Sequence, residues 1–143
     1  LLTVNNYQAS SDNSIFSIRL YENGVLETAG VYQVAILGGR AGGTFSEYKG
    51  TTYNGGFMSV GSGIDNASDS SCNGYIYFYE LGNSAKYSFS TYQLAYNYYN
   101  SAEFEMNYAS GCLPQTSVVT GIRILPNAGT FSADFSLYGI RYK

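Results

Sequence analysis

The sequence predicts an all-β protein, an antiparallel two-sheet β-sandwich, and three observations carry that expectation. Short runs of alternating apolar and polar residues recur along the chain, each closed by Gly, Asn, Ser or Pro, which is how strands and turns are punctuated. Tyr (16 residues) and Phe (8) are abundant, and both suit the pleated, half-buried surface of a sheet. Only 12% of residues are charged, too few to clothe the solvent faces of long surface helices. A chain of 143 residues suits one domain, here taken as 1–143, and can bury roughly two thirds of its unfolded surface without a structural metal.

Residues 1–14 turn polar after Val4 and read as an N-terminal arm. Ile15–Tyr21 alternates and sets Phe16, Ile18 and Leu20 on one face. Glu22-Asn23-Gly24 signals a hairpin, because Asn-Gly accepts the positive φ that tight turns need, and Val25–Thr28 is the short return. Val31–Leu37 is a more apolar strand ending in a flexible loop, Gly38–Gly43. Thr44–Tyr48 and Gly56–Val60 read as short strands around a Tyr53–Gly56 turn. Gly61–Asn73, the longest polar stretch, reads as a surface loop.

Gly74–Leu81 places Ile76 and Phe78 on one face and Tyr75, Tyr77 and Tyr79 on the other. A strand or two follows in Lys86–Leu94, and Ala95–Ser101 is the one segment with any helical character. Ala102–Tyr108 alternates so that Phe104, Met106 and Tyr108 are expected inside and Glu103, Glu105 and Asn107 outside. Val118–Leu125 and Thr130–Tyr142 close the chain on either side of a turn at Pro126–Gly129. Eight or more antiparallel strands in one domain pack as two sheets, and a jelly-roll-like topology is expected.

Composition removes several functions. The net charge is −3, and seven basic residues scattered along the chain make no phosphate-binding face, so no nucleic-acid partner is expected. No apolar run reaches the roughly 20 residues that span a bilayer as a helix, so no membrane insertion is expected either. The chain has no histidine, which excludes Ser-His-Asp and Cys-His nucleophiles and any zinc site built on imidazole.

Four further patterns bear on chemistry. Glu103 and Glu105 share a strand face, as a glycosidase pair would require, but an acidic pair on the polar side of a strand ordinarily serves solubility. Asp65-Asn66-Ala67-Ser68-Asp69 offers oxygen donors for calcium without the ligand spacing or closing Glu of an EF-hand. Gly38-Gly39-Arg40-Ala41-Gly42-Gly43 lacks the Lys-Ser/Thr ending of a phosphate loop. Catalytic, metal and cofactor sites are therefore not expected, and the protein reads as a non-enzyme. Cys72 and Cys112 leave two alternatives: a disulfide worth about 4 kcal/mol on the chain-entropy model, or two free thiols.

The tyrosines are the strongest functional signal. Tyr75, Tyr77 and Tyr79 form a stripe on one strand face, and Tyr96, Tyr98 and Tyr99 cluster after it. Tyr offers a large rigid contact area and a hydroxyl at little entropic cost. Three destinations stay open: a second core layer, a subunit interface, or a platform for sugar rings.

Near the C-terminus, Thr120-Gly121-Ile122-Arg123-Ile124-Leu125, then Asn127-Ala128-Gly129-Thr130-Phe131, then Phe135-Ser136-Leu137-Tyr138-Gly139-Ile140 resembles the closing segment of a family of tailed-phage virion proteins. In that family an "I-x-I-hydrophobic" strand leads through a Gly-aromatic turn to a terminal "LYGI" strand. The similarity covers Val118–Arg141. It implies a jelly-roll-like sandwich on the virion surface, serving in host-receptor attachment as a tail-fibre tip or in capsid decoration as a cement protein. It further implies a homotrimer contacting other virion proteins, with a host-surface glycan as a candidate ligand. No family binding residue carries over to a position here. The alternative of another class is a carbohydrate-binding module or small glycosidase. Within the motif, Phe131, Phe135 and Leu137 share one parity and Tyr138 and Ile140 the other, and a bulge at Gly139 would let both sets reach the core.

Overall fold

A computed structural model describes residues 1–58 and 63–141, which form eleven strands and no helix. These are β1 (Leu2–Ala9), β2 (Phe16–Glu22), β3 (Val25–Leu26), β4 (Tyr32–Arg40), β5 (Phe45–Tyr53), β6 (Phe57–Met58), β7 (Cys72–Tyr79), β8 (Ser88–Asn97), β9 (Phe104–Leu113), β10 (Val119–Pro126) and β11 (Phe131–Leu137). Seven of them make one sheet in the order β11-β1-β7-β8-β9-β4-β5. The second sheet runs β10-β2-β3, with β6 on the same side of β2 as β3 but at its other end.

Every pairing is antiparallel, and three are nested: β1 with β11, β2 with β10, β4 with β9. That nesting is the wrap of a jelly roll. It stops at β7-β8-β9, which run as a meander within the large sheet. The expected all-β, antiparallel two-sheet sandwich is the fold of this chain.

The strands are where the side chains require them. Phe16, Ile18 and Leu20 of β2 are all buried, facing Leu2, Val4, Tyr7, Ile36, Ile76 and Leu94 of the large sheet. Each such side chain contributes about 1.5–3 kcal/mol by leaving water. Asn23 (φ 49°) and Gly24 (φ 87°) form the expected tight turn after β2. The Leu20 amide donates to the Tyr32 hydroxyl at 2.9 Å, which ties the small sheet to β4. The Phe57 ring sits edge-on to Tyr32, with centroids 5.4 Å apart.

Several expectations need correction. The N-terminal arm is a strand: β1 lies between β11 and β7, with Leu2, Val4, Tyr7 and Ala9 all buried. The buried set changes parity because the register shifts between Asn5 and Gln8, around Asn6 at φ 51°, a conformation Asn tolerates well. Gly38, Gly39 and Arg40 belong to β4, so the turn is confined to 41–44. The segment 95–101 continues β8 to Asn97 and then turns, without a helix.

Of the expected Gly61–Asn73 surface loop, Gly61 and Ser62, like Ser59 and Val60 of the expected Gly56–Val60 strand, lie outside the described residues; residues 66–69 are exposed as expected, but the loop's two ends are anchored inside. Ile64 is fully buried and bridges Ser14 and Tyr98, while Asp65 and Ser70 are buried and Cys72 opens β7. Among the described residues the expected Thr130–Tyr142 strand stops at Leu137, and Tyr142 lies outside them. Phe131 and Phe135 pack on the core, but Leu137, Tyr138 and Ile140 are exposed, and no bulge at Gly139 turns them inward.

Candidate functional site

The orientation of β9 sets the character of the large sheet's outer face. Ala109, Gly111 and Leu113 continue the alternation of Glu105 and Asn107, and all five lie on the inner side. Gly111 explains the choice: a Cβ there would sit 2.2 Å from the Phe57 ring, so only glycine lets the small sheet approach this closely. The expected facing of 103–108 is therefore reversed. Glu105 and Asn107 are fully buried, whereas Phe104, Met106 and Tyr108 are 51%, 37% and 63% exposed.

The inverted polar groups are satisfied internally. Arg40 Nε donates to Glu105 Oε2 at 2.8 Å, the Tyr96 hydroxyl donates to Glu105 Oε1 at 3.1 Å, and Asn107 Nδ2 reaches the same oxygen at 3.3 Å. The Arg40 guanidinium also lies 3.5 Å over the Tyr98 ring. Burial, and then the Glu105 charge, push the Tyr96 phenol well above its ordinary value. This cluster binds β4, β8 and β9 together. Glu105 is buried in an ion pair and Glu103 precedes the strand, so the two are not the exposed acidic pair on one strand face that the alternation predicts.

With those groups inside, the outward side chains of the large sheet form one continuous face. On β7, Tyr75, Tyr77 and Tyr79 alternate with the inward Ile76 and Phe78, as expected. The Tyr75 and Tyr77 rings are 5.7 Å apart at 75°, and Tyr77 and Tyr79 are 6.5 Å apart at 24°. Strand β8 lays shorter polar groups beside them. The Tyr75 hydroxyl donates to Gln93 Oε1 and the Tyr79 hydroxyl shares a hydrogen bond with Thr91 Oγ1, each at 3.1 Å. Gln93 Nε2 in turn contacts Met106 Sδ at 3.4 Å.

This network leads from the tyrosine ladder to an apolar corner of Leu37, Phe45, Met106 and Tyr108 around a depression of about 420 Å³. Gly39 makes room for Phe45, whose ring would lie 3.3 Å from any Cβ at that position. Such a face can hold the apolar side of a sugar ring or another protein surface, with phenol, amide and hydroxyl groups for orientation.

Of the six tyrosines singled out, the structure brings Tyr75, Tyr77 and Tyr79 together. Tyr96 is a core residue, which corrects its reading as an interface or glycan contact: it occupies an inward position of β8. Tyr98 and Tyr99 are half-buried beyond the end of β8, with rings 4.9 Å apart, away from the ladder. Leu37, Phe45, Phe104, Met106 and Tyr108 were missed as surface residues. Carrying the alternation of β9 on to the glycine and Leu113 is the signal that would have placed three of them.

The two cysteines are free, and the disulfide alternative is corrected by geometry. Cys72 faces the core, while Cys112 is on the outer side of β9. Cys112 is level with Phe89 of β8 and Asn73 with Ala95, which puts the sulfurs roughly 20 Å out of register along the strands. Asp65 uses its carboxylate within its own loop, accepting from the Ala67 amide and the Ser70 hydroxyl. Among the described residues, no three His, Cys, Asp or Glu side chains converge. Compared with known proteins, the chain matches no family model, no curated protein and no solved structure.

Proposed function

We propose that the protein is an attachment component of a tailed-phage virion surface, with the outer face of the seven-stranded sheet holding a host-surface glycan. The observation that carries the binding assignment is the Tyr75–Tyr77–Tyr79 ladder, with its phenols anchored to Gln93 and Thr91. Saccharide rings have apolar C–H faces that lie against aromatic surfaces, and equatorial hydroxyls that reach the amide and hydroxyl groups beside them. The fixed phenols lower the ordering cost of binding. The virion setting is supported by the resemblance of Val118–Arg141 to the closing segment of virion proteins. On this reading the protein works by holding, and no residue is assigned to turnover.

A second reading, capsid decoration, is favoured by the apolar corner of Leu37, Phe45, Met106 and Tyr108, which suits a protein partner better than a sugar. An array of bacterial surface polysaccharides tests the first reading. The wild-type protein is expected to retain a subset of them, and Tyr75→Ala, Tyr77→Ala and Tyr79→Ala each to weaken retention about tenfold while circular dichroism stays unchanged. A folded triple variant that binds as well as wild type would remove the ladder from the function. Retention on intact capsids and on no glycan would favour decoration.

A further inference from the structure

Strand β5 ends the seven-stranded sheet, and among the described residues no strand pairs with its far side. A long open edge is a template for another strand. Which of its backbone groups are open follows from the hairpin. The Arg40 amide donates to the Thr44 carbonyl, so the rungs to β4 fall, by antiparallel alternation, at Ser46, Tyr48 and Gly50. The N–H and C=O groups of Phe45, Glu47 and Lys49 therefore point outward. The same alternation that sends those groups to the edge carries the Glu47 and Lys49 side chains onto the outer face, 66% and 75% exposed and paired with each other at 2.8 Å.

We propose that this edge pairs antiparallel with β5 of a second copy about a two-fold axis beside Tyr48, so that Glu47 of each copy faces Lys49 of the other. Charge selects the register. Moving the strands by one rung either way sets Glu47 against Glu47 or Lys49 against Lys49, and like charges directly opposite are unfavourable. In the chosen register two opposite-charge rungs flank the axis, and Tyr48 meets Tyr48 across it. An edge lysine ordinarily discourages pairing. Here a residue of opposite sign two positions away makes the edge self-complementary in one register and repulsive in its neighbours. The register shift beyond Gly50 limits the regular pairing to Ser46–Gly50, so the contact is small and its affinity modest. The product is a two-fold dimer, distinct from the trimer that the phage resemblance implies, and it stands independently of the ligand proposed above.

Light scattering after size exclusion and sedimentation equilibrium, over a concentration series, test it. The wild-type chain is expected to approach twice 15.6 kDa as concentration rises. E47K alone and K49E alone should each bind themselves at least tenfold more weakly. Their equimolar mixture, and the E47K/K49E double swap, should restore dimerisation, because both recreate opposite-charge rungs. A wild-type chain that stays monomeric to about 1 mM, a trimer, single reversals that dimerise as well as wild type, or a mixture that fails to associate would each overturn the proposal.

Discussion

Replacing Gly111 by Ala probes the contact between the two sheets at its tightest point. In an extended strand a Gly→Ala change ordinarily stabilises by about 0.4–1 kcal/mol, because it narrows the unfolded ensemble. At Gly111 the new Cβ would lie 2.2 and 2.7 Å from two carbons of the Phe57 ring and 3.1 Å from the Ser90 hydroxyl. Carbon atoms in contact rest about 3.5–4.0 Å apart, so the ring must retreat by more than about 1 Å. It has little room to do so. Phe57 is 2% exposed, edge-on to Tyr32 and 6.5 Å from Phe78. Overpacking of this kind costs about 1–3 kcal/mol, and after the entropic gain the expected loss is about 1–2 kcal/mol. Urea unfolding followed by tyrosine fluorescence reads it as a lower midpoint with an unchanged slope. Repeating G111A in a Phe57→Leu background should abolish most of the loss, since the smaller side chain vacates the contested space. A G111A protein as stable as wild type, or an equal loss in both backgrounds, would refute the packing of Phe57 against Gly111.

Thiol labelling should separate the cysteines: iodoacetamide is expected to modify Cys112 slowly in the native protein and Cys72 only after unfolding. Burial shields Cys72 and pushes its thiol up to about 12. Equal native labelling of both, or a native mass lighter by two hydrogens, would contradict the placement of these residues. In alkaline solution Tyr7 and Tyr32, held at about 12 by burial, keep their protons while the unfolded chain releases them near the ordinary value of 10. Stability from these two groups is thus complete below about pH 10 and declines as pH rises from 10 towards 12. Phenolate absorbance and unfolding midpoints over that range check the order of events, and a stability curve flat across it would count against their burial.

How much of this was legible depended on whether alternation alone could choose a side. It could for β2, where Phe16, Ile18 and Leu20 are opposed by Ser17, Arg19 and the water-tolerant Tyr21, and for β7, where Ile76 and Phe78 compete with tyrosines of the same kind. For β9 it named the residues sharing each face and assigned the wrong face to the core. The apolar set Phe104, Met106 and Tyr108 lost the interior to Glu105 and Asn107. Partners distant in sequence, Arg40 and Tyr96, satisfy those polar groups, and Gly111 on the same side admits Phe57. Within Ala102–Tyr108 nothing local carries that information; only the continued alternation through Ala109, Gly111 and Leu113 points to the inner side.

Strand β1 was hidden for a related reason, since its irregularity at Asn6 breaks the period-two signal while keeping Leu2, Val4, Tyr7 and Ala9 inside. Of the candidate site, the tyrosine ladder was readable as a stripe. Its apolar corner was not, because it depends on the registry of β4, β5 and β9.

The pairing of Leu2 with Leu137 and of Ala9 with Phe131 makes the first strand wait for the last. During synthesis Leu2 and Val4 can pair with β7 once it has left the ribosome, but their other edge stays open until β11 emerges. A chain that stops before β11 therefore displays an unpaired apolar edge on β1 of the kind that nucleates aggregation, and only pairing with β11 closes it.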